Sequence, residues 1–537
     1  MLANTVRGLS QRHLRTLYRT CILPVMTYAS PVWWTGKKNH AKLLTAVQNI
    51  ALRHICAAFR TTPIYALEID AAIPPITVTL DHASARYADR LHRLSQNHPV
   101  IQRLPEWHEV SNIRVTIPLP SYTKRKKQPV KKNTLDNLRR QTYNPREGER
   151  IQPFTTPPWR RTAESWNGRL KIVGTEGREK EKAAEEHNQR MAIIKETQSH
   201  LAVYSDGSQQ KREGQLITGY GFAGFRHGKE VFSIEGGMGT TAEVYDAEMA
   251  GLSHGAAKAV QHAIENPNPT PIHHLIFFAD NSSAITTIYD QKPVAACQGY
   301  AQRFRRSIET FLEADPRNTV ELRWCPGHKG IEGNERADKL AKAGSERWAP
   351  TFYTYTNARR RSKAKALAKW RELHTQRQPR GGFSQANGLP PRWKPRDHFN
   401  NTKREVYGRL IQCRTRHGFI GEYYAQFVPS ESVQCQCGHR FQTREHILQS
   451  CETYNDHRHI LWDASDDLNL EELLGTEEGI EAVAEFIKTS GAFSKTGRTR
   501  QDTKEPEPDE EPGEVDEEEE IDEEDGRIAA EASDEED

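Results

Sequence analysis

The chain has 537 residues, 36% apolar and 27% charged, with 29 prolines and eight cysteines. This length suits two to four modules joined by polar linkers, and so few cysteines exclude a disulfide scaffold. The net charge of +3 hides a split: residues 505–537 hold twenty acidic residues against Arg527 alone, a charge of −19, so residues 1–504 carry +22, which points to a polyanionic partner.

Residues 1–100 read as helices. Leu9, Leu14, Leu17 and Tyr18 suit one helical stripe, and Leu43, Leu44, Val47 and Ile50 to Leu52 another. The most apolar stretch, Cys21 to Trp34, is too short to cross a membrane and contains Pro24 and Pro31. No secretory signal is visible. There is no acidic residue before Glu68, a bias shared with mitochondrial transit peptides. Folded helices explain it better, so a nuclear or cytoplasmic, intracellular location is expected ahead of a mitochondrial one. The stretches LRTLYRTCILPVMTYASPVWW and AVQNIALRHICAAFRTTPIYALEIDAAIPPI resemble the region after the catalytic core of LINE-type, non-LTR retrotransposon reverse transcriptases, their thumb and connection. The paired-aspartate turn of a polymerase is missing. Its nearest counterpart, Tyr87-Ala88-Asp89-Arg90, sets an arginine beside a lone aspartate, which opposes metal binding. The resemblance therefore implies a C-terminal fragment without polymerase activity.

Residues 101–165 form a basic, proline-rich linker, with runs at Lys124 to Lys127, Lys131-Lys132 and Arg139-Arg140, expected to be partly disordered and to contact nucleic acid. Residues 166–200 read as a charged helix leading into the next module.

Residues 201–346 carry the chemistry. Ala202 to Tyr204 is a short apolar strand expected to end in a turn at Asp206-Gly207-Ser208. Strands follow at Tyr220 to Arg226 and Val231 to Glu235, then a helix over Thr240 to His262 with Glu248 near its start. His274 to Ala279 is a continuous apolar run, like a buried strand, ending at Asp280. Thr319 to Trp324 is a last strand, before a Gly327-His328-Lys329-Gly330 loop and a helix over Asn334 to Ala343 with Asp338. Aspartates at strand ends face the crevice where open sheets hold ligands. Four converging carboxylates repel one another, and divalent cations resolve this. Hard oxygen donors with no cysteine nearby suit Mg²⁺ or Mn²⁺, as two ions.

The segments YSDGS, DAEMAGL, FADNSSA and CPGHKGIEGNERADKLA resemble a type 1 ribonuclease H domain. Residue by residue, the resemblance implies Asp206, Glu248, Asp280 and Asp338 as metal ligands and His328 as an aid to proton transfer or product release. It implies an α/β fold, a five-stranded mixed sheet with flanking helices, cleaving the RNA strand of RNA/DNA hybrids. Ser208, Asn281 and Asn334 are candidate substrate contacts, with cap or turn roles as the alternative.

Residues 347–402 read as a basic linker and helix, centred on Arg359 to Glu372 and followed by a Pro/Gly-rich loop. Residues 403–465 form a small module in which Cys435, Cys437, His446 and Cys451 could close a tetrahedral Zn²⁺ site. Their spacing resembles the CCHC element near the C-terminus of many such retrotransposon proteins. His439 competes as a ligand, and Cys413 suits a buried core. Residues 466–490 read as helical, and residues 491–537 as a disordered acidic tail. The alternative to an enzyme is a non-catalytic nucleic-acid-binding remnant of the element. The complete acidic set favours the enzyme.

Overall fold

In a computed structural model, residues 8–102 (96 apart), 148–151, 161–266 (176 and 178 apart), 270–290, 296–349, 352–377 and 383–495 are described. The basic runs between Lys124 and Arg140 and the acidic tail after Lys495 lie outside them. The chain divides into two compact units, one formed by residues 86–361 with 516–537, the other by 1–85 with 362–515.

The first unit is built on one sheet. In chain order its elements are β1 (Leu170–Val173), α1 (Lys180–Lys195), β2 (His200–Arg212), β3 (Gln215–Arg226), β4 (Lys229–Gly239), α2 (Val244–Glu265), β5 (His274–Ala279), α3 (Ser282–Thr287), α4 (Gln298–Ala314), β6 (Thr319–Trp324) and α5 (Glu332–Gly344). The strand order is β1-β6-β5-β2-β3-β4. Pairing is parallel from β1 to β2 and antiparallel from β2 to β4.

Both faces of the central strands are buried. Leu201, Val203, Leu275 and Phe277 join a core with Met249 and Leu252 of α2 and Phe304 and Ile308 of α4. The alternate residues Ala202, Tyr204, Ile276 and Phe278 join a second core with Met191 and Ile194 of α1 and Ala337 of α5. This two-sided burial is why β5 reads as an unbroken apolar run.

Three features depart from the sequence reading. The sheet has a sixth strand, because Leu170–Val173, expected within a charged helix, lies on the edge of β6 with Leu170 in the core. Helix α1 covers only the later part of that segment. β2 also does not end at Asp206. Its parallel pairing with β5 stops at Tyr204↔Phe278, but its antiparallel pairing with β3 runs on to Arg212↔Gln215. The expected turn is replaced by ladder hydrogen bonds to a neighbour that a local reading does not see.

The second unit is helical. Its N-terminal part holds helices Gln11–Leu17, Lys38–Ile55 and Ile64–Asp70, and its C-terminal part holds Arg404–Thr415, Gly421–Phe427, Leu470–Gly475 and Glu477–Ser490. The two parts share their cores. Leu52, Ile55 and Leu67 pack with Tyr407 and Ile411, and Ala66 and Ile69 pack with Leu410, Cys413 and Ile420. Residues up to 85 of the first expected module and residues 403–465 thus share packed cores within one unit. On helix Lys38–Ile55, Ala41, Leu52 and Ile55 face the core, while Leu43, Val47 and Ile50 are exposed. The apolar residues of that helix span more than one face.

Candidate active site and a cysteine–histidine cluster

Three of the five residues proposed for the acidic site converge. Ligand oxygens of Asp206, Glu248 and Asp280 lie within 4.8 Å of one another. Asp206 comes from β2 just beyond its parallel pairing, Asp280 follows β5, and Glu248 comes from the second turn of α2. Glycine lets the helix approach. A Cβ at Gly207 would sit 2.8 Å from the Glu248 backbone nitrogen. The start of α2 is fixed by Asp246, fully buried, which accepts from the Glu243 backbone N–H at 2.8 Å, the Cys297 thiol at 3.0 Å and the Thr354 and Thr356 hydroxyls. Burial pushes the Asp246 carboxyl up to about 6, against the pull of those hydroxyls. Sequence reasoning missed Asp246, because three of its four partners, Cys297, Thr354 and Thr356, lie 51, 108 and 110 positions away.

The carboxylates oppose one another's ionisation. Burial, then the charges of Asp280 and Asp338, raise Asp206 well above the ordinary aspartate range. Burial, then Asp206 and Asp280, do the same for Glu248. Asp206 and Glu248 are also hydrogen-bonded to each other. Among the described residues Glu248 Oε2 is buried without a hydrogen-bond partner, an expensive state for a carboxylate oxygen unless a cation meets it.

Asp338 stands outside the close trio. It is near enough for its charge to act on Asp206, but its Oδ2 accepts a 2.7 Å bond from Lys342 one turn along α5. His328 is exposed in a left-handed conformation, φ 54°, on the loop after β6. That loop closes tightly on the site: a Cβ at Gly327 would lie 2.5 Å from Asp280 Oδ2.

The candidate substrate contacts divide. Asn281 Oδ1 accepts from the Ala284 backbone N–H at 2.9 Å and caps α3. Asn334, buried, accepts from the Cys325 thiol at 3.3 Å. Ser208 has no side-chain hydrogen bond among the described residues. Cys325 corrects the expectation that no cysteine is near. It is buried close to the trio, and burial followed by the charges of Asp280, Asp206 and Glu248 raises its thiol well above the usual range. Held protonated, it serves as a donor to Asn334 and leaves the oxygens as the metal-binding set.

In the helical unit Cys435, Cys437, His446 and Cys451 bring their donor atoms within 4.8 Å of one another. Cys435 Sγ and Cys451 Sγ are 3.6 Å apart, and Cys437 Sγ and His446 Nε2 are 3.2 Å apart. A tetrahedral Zn²⁺ with bonds of about 2.3 Å to sulfur and 2.0–2.1 Å to nitrogen has edges of about 3.8 and 3.6 Å, so the donor set fits that ion. His439 stacks on the His446 ring at 4.2 Å and its Nδ1 lies 3.1 Å from the Phe441 carbonyl oxygen, outside the ligand group. Cys413 is buried in the core.

Residues 198–346 match the family model described as RNase H. A curated relative, "Ribonuclease H" of Jannaschia sp. (strain CCS1), is 59% identical over 32 residues, 6% of this chain and 20% of that protein. The chain thus spans about a fifth of the relative's length. Among solved structures, the N-terminal RNase H domain of a Mycobacterium tuberculosis protein is 17% identical, with 27% of this chain and 94% of that one covered and a TM-score of 0.21. RNase H1 from Halobacterium salinarum is 18% identical, with 27% and 96% covered and a TM-score of 0.19. LC11-RNase H1, solved in complex with an RNA/DNA hybrid, is 17% identical, with 27% and 96% covered and a TM-score of 0.20.

Proposed function

We propose that the sheet unit is a ribonuclease H hydrolysing the RNA strand of RNA/DNA hybrids, in a chain derived from a LINE-type retrotransposon and lacking polymerase activity. One observation carries the reading: three carboxylates from two strands and a helix meet within 4.8 Å, and one buried oxygen, Glu248 Oε2, has no hydrogen-bond partner among the described residues. The match of residues 198–346 to the RNase H family supports it.

The oxygen donors suit two Mg²⁺ or Mn²⁺ ions. Asp206, Glu248 and Asp280 would hold them, joined by Asp338 once its pair with Lys342 opens. Such ions, when bound, supply activation of water for attack on phosphorus and charge neutralisation at the leaving oxygen. The chain's own residues do the rest. Asp206 and Glu248 give up their raised proton affinity on binding cations, which ties binding to pH. His328, exposed beside the site, exchanges a proton with the leaving oxygen or the product phosphate. Ser208 is the remaining candidate for a ribose 2′-hydroxyl contact, which would tell RNA from DNA. Asn281 and Asn334 serve chiefly to shape the loops around it. Cys435, Cys437, His446 and Cys451 would hold a structural Zn²⁺. Contacts of the basic linkers with nucleic acid belong to the same reading, although residues 103–147 lie outside the described chain. No described helix is long and apolar enough to cross a membrane.

The deciding experiment is cleavage of a labelled hybrid with Mg²⁺ against EDTA, with Asp206→Asn as control. Metal-dependent loss of the RNA strand, absent in the variant, is expected. Equal turnover by the variant overturns the assignment.

A further inference from the structure

The helical unit carries an aromatic and cationic patch that neither the acidic site nor the cysteine–histidine cluster uses. Phe59 packs edge-on against Phe419 at 5.0 Å and Tyr423 at 5.2 Å. Tyr423 in turn lies 4.8 Å from Phe427, which is 39% exposed. His417 meets both Tyr423 and Phe427 and, through Nδ1, the Thr61 hydroxyl at 2.9 Å. The Thr61 hydroxyl also lies 3.1 Å from the Tyr423 hydroxyl. The rings therefore form a connected shelf where the loop after helix Lys38–Ile55 meets helix Gly421–Phe427, with Tyr423 buried at its base, Phe59, Phe419 and His417 half-buried and Phe427 exposed.

Two arginines lie near Phe59, Arg60 next to it in the chain and Arg53 hydrogen-bonded to the Arg60 carbonyl. Arg53 donates only to backbone carbonyls, of Arg60 at 3.1 Å and Asn49 at 3.2 Å. Arg60 is exposed. Neither has an ion-pair partner among the described residues, and each adds to the positive field of the other. The sequence supplies no acidic residue before Glu68. On the other side, Glu422 is already paired with Arg416 and accepts from the Arg444 backbone N–H at 3.1 Å. The shelf is also held from beneath. Gly421 and Glu422 take hydrogen bonds from their backbone N–H groups to Gln442, which in turn approaches Cys435 Sγ at 3.7 Å.

We propose that this patch binds single-stranded nucleic acid, with unpaired bases stacking on Phe427 and Phe59 and backbone phosphates meeting Arg53 and Arg60. The charge disfavours a basic peptide as occupant and favours one that carries anionic groups beside flat apolar rings. Stacking selects single strands over duplex, because only unpaired bases offer a free face to an aromatic ring. Sequence preference should be weak, since every base has such a face.

The test uses the full chain in the Asp206→Asn background, which prevents cleavage, and fluorescence anisotropy with labelled oligo(dT), oligo(U) and a hybrid duplex. Phe427→Ala and Arg60→Ala alter exposed side chains, and unchanged circular dichroism melting confirms that each folds. Phe427→Ala is expected to weaken binding of both single strands about fivefold or more, the lower end for one lost stack. Arg60→Ala is expected to flatten the salt dependence by about 0.7 in log–log slope, the loss of one phosphate contact. Hybrid turnover, measured with the acidic site intact, stays unchanged in both. Unaltered single-strand affinity in both variants overturns the proposal. So does an equal loss of affinity for the hybrid, which would mark a duplex surface. Loss of binding to a peptide of residues 505–537 without loss for oligonucleotides also overturns it and gives the patch to the acidic tail. A loss confined to oligo(U) or to oligo(dT) supports the site and names its strand.

Discussion

Replacing Asp206 by Asn is expected to stabilise the metal-free protein while abolishing hydrolysis, two effects of opposite sign from one change. At an effective dielectric of about 20, two full charges at the 4.8 Å limit of the trio repel by about 3.5 kcal/mol. A proton shared between Asp206 and Glu248 removes part of this, leaving about 1–3 kcal/mol to be relieved. Asn returns about 1 kcal/mol of that by weakening the bond that the carboxylate accepts from the Gly207 backbone. The net gain is about 0–2 kcal/mol, or up to roughly 8 °C for a unit of this size.

The pH dependence has a definite sign. Asp206 and Glu248 are raised in the folded state, so the folded chain holds more protons than the unfolded one above the ordinary carboxyl range of about 4. Stability without metal is therefore greatest below that range and is lost as pH climbs toward the folded values. Asp206→Asn should flatten this slope. The assay is calorimetry in EDTA and in Mg²⁺, following the transition that Mg²⁺ raises in the unaltered protein. In Mg²⁺ the order should reverse, because only the intact trio gains stability from binding. A variant less stable than the parent in EDTA at neutral pH would refute the shared, mutually repelling site.

Gly327→Ala should impair catalysis at least tenfold with the fold retained, since its Cβ would lie 2.5 Å from Asp280 Oδ2 and one of the two must move; steady-state kinetics against Mg²⁺ concentration reads this. His328→Ala should slow turnover by no more than about 10²–10⁴-fold, and a variant as inactive as Asp206→Asn in single-turnover assays would demand a more central role. Freshly purified protein should contain one zinc per chain by elemental analysis, and Cys451→Ser should lose it and lower the melting of the helical unit while hybrid cleavage persists.

The acidic site was legible because its signals are local. An apolar run ending at Asp280 needs only burial on both faces, and Glu248 sits where α2 must approach a glycine in β2. What was illegible depended on distant partners. The pairing of β2 with β3 carries Asp206 into mid-strand, whereas Asp-Gly-Ser alone suggests a turn. The four residues of β1 are too few to show a period, and only the free edge of β6 makes them a strand. Asp338 lies on the expected helix, where it pairs with Lys342 four positions on, a contact that helical spacing allows but that the metal-ligand reading did not include.

In the helical unit, segments expected as separate modules share buried contacts. Asp70 is 2% exposed and meets both Arg414 and His398, the latter at 3.0 Å. The same Arg414 donates to the Leu474 and Ala386 carbonyls at 3.0 Å each. A carboxylate this deep is tolerable only with its cations in place, and removing either side leaves an uncompensated buried charge. The segment carrying Asp70 and the segment carrying Arg414 therefore cannot be sorted into units that fold independently, although 344 positions separate them. The sheet unit, by contrast, satisfies its own two cores between Trp166 and Tyr355. In chain terms it is an insertion between the halves of a helical unit. The cysteine–histidine cluster belongs to that helical unit: Cys435 and Cys451 are members of the same core as Ala66 and Ile69. Zinc at that cluster would then brace a core that reaches into the N-terminal helices, and its loss should be felt there rather than at the acidic trio.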